Sequence, residues 1–150
     1  MSAIRKIALF AAAATLAVPT IAAAPDTIKA RQANFKSMAE SVKLIFGELK
    51  KDAPAFAAIR QEAAALEKKG ARVARFFPKG TGPEAGVKTG ALPAIWQQPA
   101  EFRTAATGLN RATKALRAAA AGTDVAKVRA AVGTTVGACK ACHEKFRLED

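Results

Sequence analysis

Apolar side chains recur at alternating spacings of three and four in four separate stretches of the chain. That pattern belongs to helices that bury one seam against each other. The first stretch, 26–51, carries the seam Ile28, Arg31, Phe35, Met38, Val42, Ile45 and Leu49, with Asp26 placed to cap its start and Pro54 beyond its end. The second, 54–76, runs through Phe56, Ile59, Ala63, Leu66, Gly70 and Val73, and Pro54 suits a first helical turn. The third, 99–121, runs through Phe102, Ala105, Leu109, Ala112, Leu116 and Ala119. The fourth, 124–148, runs through Val125, Val128, Val132, Thr135, Cys139, Cys142 and Phe146, with Asp124 as its cap.

Two of the three connections are short, which makes neighbouring helices antiparallel. The pattern therefore predicts an all-α, antiparallel up-down four-helix bundle. The remaining connection, 77–93, is rich in glycine and proline, so no regular structure is expected there. It is longer than most helix connections, which suits a segment that covers a ligand. The alanine-rich composition, with no tyrosine, favours helix throughout.

The segment before the first helix changes the picture. Residues 1–24 read as a signal peptide: Arg5 and Lys6 open it, an apolar run from Ile7 to Val18 follows, and Ala22, Ala23 and Ala24 offer small residues for cleavage near 23 or 24. The apolar run is too short for a stable membrane span, and no second one is long enough. Export to the periplasm is the expectation, with residues 25–150 as a single domain. Removing Arg5 and Lys6 from 24 basic residues leaves 22 against 12 acidic ones, a net charge of +10. Such a surface favours acidic redox partners or anionic lipid heads. No nucleic-acid motif is present, and export argues against that partner.

Two cysteines in an exported protein usually form a disulfide. Here they lie in the run Cys139-Lys140-Ala141-Cys142-His143, which is a C-x-x-C-H haem-attachment site. Cysteines three apart on a helix share one face. Each thiol can add to a haem vinyl group, and the adjacent imidazole of His143 can reach the iron. A disulfide, a thioredoxin-like dithiol and a zinc site are the competing readings. The dithiol lacks its βαβ setting, and the chain holds three Cys and His residues where a structural zinc site needs four. Without a second histidine or any tyrosine, and with Met1 in the leader, the iron is either five-coordinate or bound by Met38. Arg31 occupies an inward position, where a guanidinium needs an anionic partner such as a haem propionate, unless it snorkels to solvent.

Taken together, these stretches resemble cytochrome c′ over the whole mature chain. The resemblance rests on Ile28-Lys29-Ala30-Arg31-Gln32, on 77–82, on Leu92-Pro93-Ala94-Ile95-Trp96, and on the run from Cys139 to Arg147. It implies one haem c per chain, thioethers at Cys139 and Cys142, and His143 as axial ligand of a five-coordinate iron. It also implies propionate contacts from Arg31 and Gln32, with Thr89 joining them, and Phe35 in the distal pocket. Phenylalanine there departs from the smaller leucine or methionine of the family. Arg147 falls one turn from His143. Phe35 offers no hydrogen-bond donor, so nitric oxide and carbon monoxide are the expected ligands, with little dioxygen carriage.

The resemblance further implies a homodimer through the outer faces of the first two helices, nitric oxide scavenging, and electron transfer with an unidentified redox partner, without turnover catalysis. The alternatives are a low-spin electron carrier with Met38 as sixth ligand, and a basic helical interaction module without haem. Trp96 reads as packing at the bundle end. Lys140, Lys145 and Arg147 form either a docking rim for an acidic partner or an ordinary solvated face, diluted by Glu144, Glu149 and Asp150.

Overall fold

A computed structural model describes residues 23–148. Most of the segment read as a signal peptide, 1–22, lies outside the described residues. Four long helices form the bundle: α1 (Ala23–Glu48), α2 (Phe56–Gly70), α3 (Pro99–Ala120) and α4 (Val125–Phe146). α1 packs on α2, α2 on α3 and α3 on α4, whereas α1 and α4 meet sparsely. The side between the first and last helices is therefore the looser one.

The core follows the predicted seams. Ile28, Ile45, Ile59, Leu66, Leu116, Val128 and Val132 are fully buried, each worth about 1.5–3 kcal/mol relative to exposure. Met38 and Leu49 join them. Two seams drift, because 3.6 residues per turn does not match an alternating three-four count over a long helix. On α1 the buried position is Ser41, and Val42 is only half-buried. Ser41 is satisfied by donating to Ser37 O at 3.2 Å and accepting from Lys69 Nζ at 3.0 Å. On α3, Ala106, Thr113 and Ala120 are buried, while Ala105 and Ala119 are half-buried.

Several predicted bounds require correction: α1 begins at Ala23, so Asp26 lies within its first turn and does not cap it, and α2 begins at Phe56, leaving Pro54 ahead of the helix. α1 ends at Glu48 rather than 51, where the backbone tightens into a turn with Lys51 N on Glu48 O, and the Glu48 carboxylate accepts from Lys51 Nζ and the Ala55 N–H. The latter bond secures the start of α2. α2 ends at Gly70 rather than continuing to 76. Its last backbone bonds tighten, Arg72 N reaching Lys69 O, and a 3-10 turn follows at Val73–Phe76. Gly70 lies where α2 closely approaches α3: a Cβ there would lie 3.2 Å from Thr113 Oγ1 and 3.3 Å from its Cγ2, so Thr113 would have to give by a few tenths of an ångström.

The 77–93 connection is more ordered than its composition suggests. It holds a 3-10 turn at Pro83–Ala85 and an antiparallel bridge from Ala91 to Arg147. A one-turn helix at Ala94–Gln97 leads on to α3. Leu92 N donates to Phe146 O at 3.0 Å and Leu148 N to Gly90 O at 2.8 Å. Backbone groups freed by the irregular chain are thus satisfied by the end of α4. Asp124 caps α4 as expected, accepting Lys127 N at 3.0 Å. No helix among the described residues is long and apolar enough to cross a membrane.

Candidate functional site

Cys139, Cys142 and His143 occupy the last turns of α4, all three half-buried. No disulfide joins the two cysteines. Cys139 and His143 line a cleft of about 330 Å³ with Val136 and Leu148. Cys142 lines a second groove of about 350 Å³ between α3 and α4. Burial raises the Cys139 thiol above its ordinary value. Burial, with the neighbouring Cys139, pushes Cys142 up to about 11. Burial lowers His143, and the nearby positive Arg147 lowers it further. His143 is therefore held neutral at pH 7, the form of imidazole that has a lone pair for a metal.

A second group converges from α1 and the 77–93 connection. Arg31 is 3 % exposed and points inward rather than snorkelling to solvent. Its Nη1 donates to Phe76 O at 3.3 Å and Thr81 Oγ1 at 3.4 Å; its Nη2 donates to Thr81 O at 3.0 Å and Thr89 Oγ1 at 2.7 Å. The guanidinium also stacks 4.6 Å from the Phe77 ring centroid. Burial lowers its pKa. Among the described residues no carboxylate pairs with it. Gln32 Nε2, beside it, donates to Lys88 O at 3.0 Å. Thr89 Oγ1 accepts from Ala91 N at 3.2 Å as well as from Arg31.

Phe35 links the two groups. Its ring meets His143 edge-on, with centroids 6.3 Å apart, and meets Phe77 at the same separation. From Phe77 the aromatic contacts continue to Phe102 at 4.8 Å and from Phe102 to Phe146 at 5.3 Å. Trp96 packs at this end of the bundle as expected. It lies 6.2 Å from Phe77, and its Nε1 donates to Phe77 O and Pro78 O. A Cβ on Gly82 would lie 2.9 Å from the Trp96 ring, so glycine is required beneath it. Met38 is placed differently: its sulfur accepts from Asn34 Nδ2 at 3.4 Å, and its side chain belongs to the main core.

Sequence reasoning brings together Arg31, Gln32, Thr89, Phe35 and the α4 triad, and the structure gathers them at one end of the bundle. It misses Thr81 and Phe77. Thr81 is 3 % exposed and also donates to Pro78 O at 2.8 Å. A lone hydroxyl between Gly80 and Gly82 was the available signal. The proposed basic rim is largely neutralised: Lys145 pairs with Glu101, and Lys140 lies 3.7 Å from Glu144.

The donor set fits a covalently attached haem. Val136 and Leu148, two of the three exposed large apolar residues among those described, are 39 % and 51 % exposed and flank Cys139 and His143. A flat apolar ring tethered at the thiols has surface there to cover. A buried arginine with only neutral acceptors suits the acidic edge of such a ring.

Comparison with known proteins agrees. A family model described as Cytochrome C′ matches residues 26–147. A cytochrome c′ of Rhodopseudomonas palustris is 34 % identical over 147 residues, 96 % of this chain and 97 % of its own. A cytochrome c′ of Rubrivivax gelatinosus is 46 % identical over 68 residues, 45 % of this chain and 53 % of its own. A cytochrome c-554 of Cereibacter sphaeroides is 33 % identical over 125 residues, 82 % of this chain and 81 % of its own. Among solved structures, cytochrome c′ from Thermochromatium tepidum superposes with a TM-score of 0.78 at 29 % identity, over 84 % of this chain and 97 % of the other. The nitric oxide complex of a point mutant of cytochrome c prime from Alcaligenes xylosoxidans gives 0.75 at 30 % identity, over 84 % and 97 %.

Proposed function

This chain belongs to the cytochrome c′ family, and from that premise we propose that it is an exported, periplasmic haem c protein that binds nitric oxide and carbon monoxide without turnover catalysis. Its iron takes His143 as its one protein ligand. The haem, when bound, supplies a redox-active iron that takes diatomic gases. The rest is the work of this chain's own side chains.

Cys139 and Cys142, three apart on a continuous helix, would hold the ring through thioethers beside His143. Arg31, Gln32 and Thr89 meet the propionates. A propionate would be a stronger acceptor for the buried Arg31 guanidinium than the neutral Thr81 and Thr89 oxygens it now meets. Phe35, edge-on to His143, would offer only carbon to a ligand bound at the iron. Bound dioxygen carries partial negative charge and gains from a donor that Phe35 lacks, whereas nitric oxide and carbon monoxide need none. The nitric oxide complex of the Alcaligenes relative supports this choice.

The observation that carries the reading is the placement of Phe35 and Met38. Phe35 stands 6.3 Å from the His143 ring, whereas the Met38 sulfur is engaged by Asn34 inside the core. The second reading, an electron carrier with Met38 as sixth ligand, draws on Met38 lying one turn beyond Phe35 on the same helix. Self-association through the outer face of α1 is supported by Leu44, which is 55 % exposed there. Electron transfer with an acidic partner and nitric oxide scavenging are the physiological roles that follow.

The test is gas titration of the ferrous holoprotein at neutral pH. Carbon monoxide and nitric oxide adducts are expected, with no lasting dioxygen adduct. A stable dioxygen adduct, or no binding of carbon monoxide, overturns the reading. The amino-terminal sequence of protein recovered from a periplasmic fraction tests the leader: a start near residue 24 or 25 is expected.

A further inference from the structure

The haem-motif rim is not the most basic part of this surface. Between Lys68 and Lys79 the chain carries five basic residues and no acidic one. Lys68, Arg72, Arg75 and Lys79 are exposed, as is Lys88. None of them meets a carboxylate among the described residues. By contrast Lys140 and Lys145 are already paired.

Helix electrostatics explain only part of this charge. Cations are favoured in the last turn of a helix, which accounts for Lys68 and Lys69 at the end of α2. Lys69 is also occupied, donating to Ser37 O and Ser41 Oγ. Arg72, Arg75, Lys79 and Lys88 lie beyond the helix, where that effect has fallen off. Arg72 is held by its side chain, and Arg75 and Lys88 by their backbone. The Arg72 guanidinium stacks 5.5 Å from the Phe76 ring, Arg75 N donates to Arg72 O, and Gln32 pins Lys88 through its carbonyl. The nearest acidic side chain of the connection, Glu84, accepts from Gly82 N.

This surface adjoins the Arg31 cluster. Phe76 stacks on Arg72 from one side, and its carbonyl accepts from Arg31 on the other. We infer that the unpaired cations Arg72, Arg75, Lys79 and Lys88 form a docking surface for an acidic protein partner, placed over the 77–89 segment rather than on the Lys140 and Lys145 rim. An anionic membrane is the less suited occupant. The exposed large apolar residues among those described are Leu44, Val136 and Leu148, so this patch has no side chain to insert between lipids. Its attraction is purely electrostatic, which gives salt-sensitive encounter with carboxylates. The inference holds whichever ligand the iron takes.

The experiment compares three holoproteins: the unaltered chain, the patch variant R72E/R75E/K79E, and the charge-matched control R103E/R111E/K114E on the exposed face of α3. Binding to labelled poly-L-glutamate is followed by fluorescence anisotropy at low and high salt, and binding to phosphatidylglycerol–phosphatidylcholine vesicles by co-sedimentation. Circular dichroism and the Soret band confirm folding. The patch variant is expected to bind poly-L-glutamate at least about tenfold more weakly, with the control within about twofold of the unaltered protein. Should the reversal unfold the chain, R72Q/R75Q/K79Q carries the same ordering. Equal losses in both variants overturn the inference, since net charge alone would then govern binding. So does an unaltered chain that fails to bind poly-L-glutamate. Loss confined to the vesicles assigns the surface to a membrane and overturns it as well.

Discussion

Arg31 and Thr89 stand 58 residues apart in the chain and are joined by a 2.7 Å hydrogen bond from Nη2 to Oγ1. With the bonds from Arg31 to Phe76 O and to Thr81, this contact ties the 77–89 connection to α1. One buried guanidinium thereby meets a segment rich in glycine and proline at Thr81 and Thr89, and Phe76 just ahead of it, beside the backbone bonds to the end of α4. The same guanidinium retains the charge needed to meet an anionic ligand.

Replacing Arg31 with methionine keeps an apolar stem and removes all four bonds. Phe76 O and Thr81 O lose this donor, whereas Thr81 Oγ1 keeps its bond to Pro78 O and Thr89 Oγ1 keeps the Ala91 N–H. The expected cost is about 1–3 kcal/mol in denaturant unfolding. Amide hydrogen exchange should quicken across 77–91 and stay slow in the middle of α3. Unchanged exchange in the connection would show that the guanidinium does not hold it.

Much of this arrangement was legible in the sequence. The four seams gave the bundle, because each places a buried residue every three or four positions, and Cys139-Lys140-Ala141-Cys142-His143 gave the α4 site. An inward arginine on an apolar seam announced the cluster around Arg31. Three things were not legible. The close approach of α2 to α3 at Gly70 involves Thr113, 43 residues on, which no local pattern reveals. Thr81 and Phe77 gain their roles from contacts with Arg31 about 50 residues away. The bridge between Ala91 and Arg147 depends on tertiary pairing, which overrides the turn composition of the connection.

Gly70→Ala tests the α2–α3 crossing. Alanine improves helix propensity by up to about 1 kcal/mol, but its Cβ presses on Thr113, which is fully buried. Overpacking of this kind costs about 1–3 kcal/mol, so net destabilisation of about 1 kcal/mol is expected. In a Thr113→Ala background the penalty should vanish, giving a clear coupling in a double-mutant cycle. Additive effects would mean that the helices adjust freely.

Glu48 supplies a pH-dependent element. The Lys51 ammonium, then the Ala55 N–H, hold its carboxyl below the ordinary value of 4.5. Between the folded and unfolded values the unfolded chain binds more protons, so stability rises with pH across that window. The contribution is complete above about pH 4.5 and is lost as pH falls through the folded value. Glu48→Gln should flatten this part of the acid limb in thermal unfolding curves. An acid limb identical to that of the unaltered protein would assign the transition to other groups.

Phe35→Ala tests the face opposite His143. Truncating a half-buried ring should cost about 2 kcal/mol of stability. Flash photolysis of the ferrous carbon monoxide complex should show faster rebinding from solvent, since the ring that faces His143 is gone. A rebinding rate indifferent to the substitution would place Phe35 in the core alone.

The central claim is that His143 is the only protein ligand of the iron. Resonance Raman and absorption spectra of the ferric and ferrous holoprotein test it most directly, recorded for the unaltered chain and for Met38→Leu, a swap expected to cost less than about 1.5 kcal/mol. High-spin, five-coordinate marker bands are predicted in both proteins, unchanged by the substitution. A low-spin spectrum with a near-infrared sulfur-to-iron band in the oxidised form, abolished by Met38→Leu, would contradict the account.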